Sequence, residues 1–215
     1  LRVVVPPQAL SMTGHYEWCL QQVTGEWVSI IGDDDGVMPY FFAELKKLFE
    51  RWDAEKVDAF IFRRAYYFWP GCEDVYGNAA VGVSASRCEH RMSGRAAILR
   101  AILYDLDHFD LPQVYTNNLV RGDLIAKIRK QSGGRFYNEL NPDVYSGVAV
   151  ALAAKQIVRS EFPLFWTGTS PKSVGIAVSK SFETSEKSQS ETGADKSTSD
   201  RAKEFFCFAE AENYG

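Results

Sequence analysis

The chain has 215 residues, 46% hydrophobic and 13% aromatic, which suffices for one domain with a sizeable core. Its formal net charge is −4 and it carries no long basic run, which argues against a nucleic-acid partner. No segment approaches the roughly 18 uninterrupted apolar residues of a transmembrane helix.

In chain order, Val3 to Val5 reads as a short strand closed by Pro6-Pro7. Ser11 is an expected helix N-cap, and Tyr16, Cys19, Leu20 and Val23 recur at helical spacing up to Gly25. Glu26 to Ile31 is the next expected strand, and Pro39 opens a helix that ends near Trp52. Val57 to Phe62 predicts a strand, extended by Arg63 to Trp69, and 70–92 a loop or short hairpin. Ser93 caps a helix through Tyr104, and Asp105 to Gln113 reads as a loop. Val114 to Val120 is a strand or an entry to the helix Arg121 to Gln131, which Ser132-Gly-Gly134 stops. Asn141-Pro142-Asp143 begins a helix predicted over Val144 to Val158, and Pro163 to Thr167 is a last strand. The polar run 179–203 is expected to be a mobile loop, with 204–215 docking back through Phe205, Phe206 and Phe208. Alternation of strands and helices predicts an α/β chain with a doubly wound, mostly parallel sheet and flanking helices.

The segment Ile31-Gly32-Asp33-Asp34-Asp35-Gly36 carries the chemistry. An apolar run ends in consecutive carboxylates, and ligands of open α/β sheets bind beyond the carboxyl ends of the strands. Adjacent carboxylates repel unless a cation or solvent offsets them. Alternate aspartates make a hard oxygen site suited to Mg2+ or Mn2+ with a phosphate-bearing substrate. The competing reading is an acidic surface turn.

Tyr16-Glu17, Thr24-Gly25-Glu26-Trp27-Val28, the acidic turn and Pro39 together resemble the core of family 2 glycosyltransferases of the GT-A fold. Tyr67-Phe68-Trp69-Pro70, Asn141 to Ser146 and Pro163 to Ser173 are similar to later elements of a bacterial branch. The resemblance implies a GT-A-like domain over 1–178, with the family's first strands lying before Leu1. It implies a nucleotide-diphosphate sugar donor, with a glycan, lipid-linked sugar or protein as acceptor. Carried onto this chain, Asp35 and Asp33 would hold Mn2+ or Mg2+, Asp33 also contacting the sugar or ribose. Asp34 would orient its neighbours, and Gly36 would let the backbone approach the sugar.

An inverting transferase needs a base for the acceptor hydroxyl. Asp143, at a helix start, is the candidate, although the helix N-terminus should lower its pKa and a first-turn Asp needs no catalytic role. Glu139 is the fallback, and Glu73-Asp74 a weaker one. Trp69, Tyr145 and Trp166 are candidates to stack on a sugar or base, and Arg63, Arg64 and Lys172 to meet phosphate. The runner-up is a DxDG phosphohydrolase of the haloacid dehalogenase type, with Asp33 as nucleophile and Asp35 as acid/base. A non-catalytic binding module of the same fold is the third reading. The four cysteines form no CxxC pair and the three histidines are scattered, so reduced thiols and a cytoplasmic chain, peripheral at most to the inner membrane face, are expected.

Overall fold

The computed structural model describes residues 2–72, 81–104, 108–139 and 141–172. The expected polar loop over 179–203 and the docking segment 204–215 lie outside the described residues.

Two mixed sheets form the frame. The five-stranded sheet has the order β1 (Trp27–Val28), β7 (Asn118–Arg121), β3 (Ala59–Phe62), β8 (Ile157–Ser160), β6 (Glu89–Met92). The four-stranded sheet has the order β2 (Gly36–Val37), β9 (Phe165–Thr169), β4 (Ala65–Phe68), β5 (Val81–Gly82). Only β3 with β8 and β4 with β9 run parallel; the other pairings are antiparallel. The α/β class with flanking helices therefore holds, but the expected mostly parallel sheet does not. The antiparallel pairs arise because β7 inserts between β1 and β3, β6 adds at the edge beside β8, and β2 and β5 flank the parallel pair of the second sheet.

The helices are α1 (Met12–Gln21), α2 (Phe41–Trp52), α3 (Gly94–Leu103), α4 (Gly122–Gln131) and α5 (Pro142–Ala153). Strand β3 shows how they are distributed. All four of its residues are buried, and successive side chains point to opposite faces. Ala59 and Ile61 join a core with Leu20 of α1, Ala97 of α3, Leu124 and Ile128 of α4, and Val150 of α5. Phe60 and Phe62 join a second core with Phe41 and Leu48 of α2. A strand covered on both faces reads as an unbroken apolar run, and Ala59-Phe60-Ile61-Phe62 does.

Local signals set several boundaries. Ser11 Oγ accepts from Gly14 N at 3.1 Å, and Ser93 Oγ from Ala96 N at 3.2 Å, so both expected caps form. Residues Val3 to Val5 are exposed and form no strand. Helix α5 ends at Ala153, earlier than its apolar pattern suggests. The Asp58 carboxylate accepts from Lys155 N at 2.7 Å and Gln156 N at 2.9 Å, turning the chain into β8. Among the described residues no helix is long and apolar enough to cross a membrane.

Candidate functional site

The chain passes from the first sheet to the second at three places. These are between β1 and β2, between β3 and β4, and between β8 and β9. The acidic turn fills the first passage, and Arg63-Arg64 the second. The site thus lies on a seam between sheets. Strand β1 is the edge strand of its sheet and only two residues long, so the turn does not follow a long internal strand as its apolar run suggests.

The turn is closed on itself. Gly32 N donates to Asp35 Oδ2 at 2.9 Å, and Asp35 N donates to Gly32 O at 3.4 Å. Asp35 then ties the seam together. Its Oδ1 accepts from Gly168 N of β9 at 3.0 Å, and its Oδ2 accepts a short hydrogen bond from Thr116 Oγ1. Asp34 is anchored on the same neighbours: its carbonyl accepts from Trp69 Nε1 at 3.1 Å, and its Oδ2 from Ser170 N at 3.3 Å. Asp33, by contrast, is exposed. The expected pairing of Asp33 with Asp35 therefore joins two unlike carboxylates, one facing water and one drawn into the seam.

Gly36 packs against a ring of this chain. A Cβ there would stand 2.4 Å from the Trp166 indole, so the missing side chain makes room for a ring of this chain. Gly32 marks a convergence. A Cβ on it would lie 3.1 Å from each of Asp34 Oδ1, Asp35 Oδ2 and the Tyr115 hydroxyl.

Behind these oxygens stands a group of phenols. The rings of Tyr16 and Tyr115 are 6.1 Å apart, and Tyr16 meets Tyr137 edge-on at 5.7 Å. Burial is the main cause that pushes all three hydroxyls well above their ordinary range, and the Asp143 carboxylate adds to each shift. Asp35 adds to the shifts of Tyr16 and Tyr115. These phenols remain neutral hydrogen-bonding groups at any physiological pH.

Asp143 sits at the second position of α5 and is 8% exposed. Burial pushes its carboxyl up to about 7. Arg64 and the backbone at the helix start pull the other way, and Asp35 adds to the rise. The expected lowering by the helix N-terminus is thus present but outweighed by loss of water. Ser146 Oγ donates to Asp143 O at 2.9 Å and accepts from Val114 N at 3.1 Å, which fixes the start of α5 against the 113–118 segment. The Arg64 guanidinium lies 3.3 Å above the Phe109 ring, held by a cation–π contact.

Asn117 completes the seam. Its backbone is left-handed, with φ of 72°, a conformation that Asn tolerates better than most residues. Its carbonyl accepts from Phe62 N at 2.7 Å, and its Nδ2 donates to Thr167 Oγ1 at 2.8 Å. The amide oxygens of Asn117 and Asn141 are buried without a hydrogen-bond partner among the described residues.

The other sequence candidates lie apart. Glu139 is exposed, and its carbonyl serves α1 by accepting from Thr13 Oγ1. Glu73 and Asp74 lie outside the described residues. The Tyr145 hydroxyl accepts from Asn138 Nδ2, Arg63 is exposed beside Glu161, and Lys172 is exposed. Sequence reading missed Tyr115, Thr116, Asn117 and Gly168. The only signal for the first three was a polar run just before the apolar Leu119-Val120, in which Gln113, Thr116, Asn117 and Asn118 are all nearly or fully buried.

Among the described residues no group of three or more His, Cys, Asp and Glu side chains is arranged to hold a metal ion. No protein-family model matches the chain, and no curated protein matches it.

Proposed function

We propose that this chain carries the transfer centre of a sugar transferase. It would move a glycosyl unit from a nucleotide-diphosphate donor to an acceptor hydroxyl with inversion, in keeping with its resemblance to family 2 glycosyltransferases of the GT-A fold. The observation that carries the reading is the buried Asp143 carboxyl, pushed up to about 7, within electrostatic reach of Asp35 in the acidic turn. A base works best when its pKa lies near the working pH, and burial gives Asp143 that property.

The donor set suits a hard divalent ion. Mg2+ is commonly held by one or two carboxylates plus substrate phosphates, so a larger protein cluster is not required. Asp33 and Asp35 would hold it, Asp35 through the acceptor capacity left on Oδ1, which takes one hydrogen bond from Gly168 N. When bound, Mn2+ or Mg2+ at these carboxylates offsets the charge of the diphosphate.

The chain's own residues account for the rest. Asp143 takes the acceptor proton as the acceptor oxygen bonds to the anomeric carbon. The bond from that carbon to the diphosphate breaks, and its electron pair leaves with the phosphate oxygen. Arg64, fixed on Phe109, favours the deprotonated Asp143 carboxylate that must accept this proton. Neutral Tyr115 hydrogen-bonds Asp35 without adding charge.

The phosphohydrolase reading needs Asp35 to deliver a proton. Its oxygens instead accept from Gly32 N, Thr116 Oγ1 and Gly168 N, an acceptor's arrangement that favours the transferase. The test is incubation of the full chain with nucleotide-diphosphate sugars and Mn2+, following release of nucleoside diphosphate. Release that depends on Asp143 supports the reading. Inorganic phosphate release from phosphomonoesters would support the phosphohydrolase instead, and inertness toward both the binding module.

A further inference from the structure

An apolar trough opens beside the acidic turn. It encloses about 380 Å³ and is lined by Met38, Tyr66, Tyr67, Trp69, Val83 and Trp166, with no charged side chain and almost no polar surface. That volume lies within the range of about 300–1,000 Å³ typical of small-molecule sites.

Its walls are the groups that hold the acidic turn. Trp69 donates its indole N–H to the Asp34 carbonyl, and Trp166 fills the space left by Gly36. Trp166 stands opposite Gly36 on one side and Ala65 on the other, so small neighbours flank the large ring. The trough therefore shares two of its walls with the acidic turn.

The chemistry of the lining selects the occupant. A sugar or peptide would bury hydroxyls or amides against a wall that offers them almost no partner, at a cost of roughly 1–3 kcal/mol for each unpaired group. The aromatic faces are also engaged with one another. Tyr67 meets Trp69 edge-on at 5.0 Å and Trp166 at 5.7 Å, leaving no open parallel pair to sandwich a pyranose. Absence of charge excludes a phosphate or carboxylate within the trough. An uncharged aliphatic chain meets none of these penalties and gains about 25 cal/mol for each Å² of apolar surface that it removes from water. Exposure of Tyr66 at 40%, Trp69 at 38% and Val83 at 54% supplies that surface.

We propose that the trough binds the aliphatic tail of a lipid-borne acceptor, placing its head group at the acidic turn. The proposal rests on the transferase reading for the word acceptor, but the binding itself does not.

The probe is n-dodecyl-β-maltoside below its micelle concentration, titrated into the full chain by calorimetry without any nucleotide sugar, with maltose as the head-group control. The detergent should bind with one-site saturation and maltose should not. Val83→Asp places a charge at an exposed position of the trough, and Trp69→Ala removes a wall; each should weaken the detergent about tenfold or more. If Trp69→Ala does not fold, Val83→Asp decides alone. Equal binding of maltose and detergent makes this a sugar site and overturns the proposal. So does absence of detergent binding, or unchanged affinity in Val83→Asp. Donor cleavage is measured separately, so loss of the transferase reading and loss of the lipid site are distinguishable.

Discussion

The carbonyl oxygen of Asp34 lies where it would stand 1.7 Å from a Cβ on Gly168. The acidic turn is thus pressed, backbone on backbone, against the last residues of β9. A methyl group at this position cannot be relieved by rotating a side chain. Gly168→Ala should destabilise the chain by about 3 kcal/mol or more, the upper end of overpacking costs. Gly36→Ala meets the Trp166 ring rather than backbone. It should cost less, about 1–3 kcal/mol. Urea unfolding of the two variants tests the order, and a Gly168→Ala loss no larger than that of Gly36→Ala would show that the backbone contact relaxes.

Thr116 supports Asp35 from the other side of the seam. Thr116→Val keeps the shape and removes the donor, leaving Asp35 one hydrogen bond short. A loss of about 1–3 kcal/mol is expected, because the acceptor is charged, while Thr116→Ser should stay near the parent. Chemical denaturation of the pair reads the hydroxyl alone. A Ser variant as weak as the Val variant points to packing of the methyl group instead.

Glu17 is a buried carboxylate with a purely structural set of partners. It accepts from Phe136 N and Tyr137 N at 3.0 Å each, and pairs with Arg129 at 3.1 Å. Glu17→Ala strands two buried amides and the Arg129 guanidinium. A loss of about 3–5 kcal/mol is expected, as for other broken buried pairs. Thermal melts should show it; a melting temperature within a few degrees of the parent contradicts the assignment.

Asp143 gives stability a pH dependence of definite sign. The folded chain keeps this proton up to about pH 7, whereas an unfolded Asp releases it near pH 4. Folding therefore takes up a proton in that window, and stability falls as pH rises from about 4 through 7. Asp143→Asn removes the term. Its stability relative to the parent should rise between pH 5 and pH 8, while donor cleavage falls by about 100-fold or more if Asp143 is the base. Unfolding free energies of both proteins at the two pH values measure the first, and nucleoside diphosphate release the second.

Much of the fold was legible because its signals are local. Ser11 and Ser93 announce helix starts through their own side chains, and Ala59 to Phe62 announces a strand covered on both faces. The mixed pairing was not legible. Strand β8 continues the apolar pattern of α5 in sequence, and what separates them is Asp58, nearly a hundred residues away, capping Lys155 and Gln156. The site divided in the same way. Asp34, Asp35 and Asp143 stand out as carboxylates in recognisable settings. Their partners Thr116, Asn117 and Gly168 are common residues whose importance arises only when β7 and β9 meet the turn. The pKa of Asp143 could not be inferred from its position at a helix start, since burial decides it and burial is a tertiary property.

The three passages between the sheets have a consequence for how this chain can be divided. Because β1 and β2, β3 and β4, and β8 and β9 each run from one sheet into the other, no single cut yields two halves that each keep a sheet. A fragment ending at Arg64 retains the acidic turn but loses β9, on which Asp34 and Asp35 rest; a fragment beginning at Ala65 keeps Asp143 and loses the turn. The two carboxylate centres are inseparable by truncation. Splitting the gene at that seam and co-expressing the pieces should restore the site only if the strands re-pair across both sheets at once.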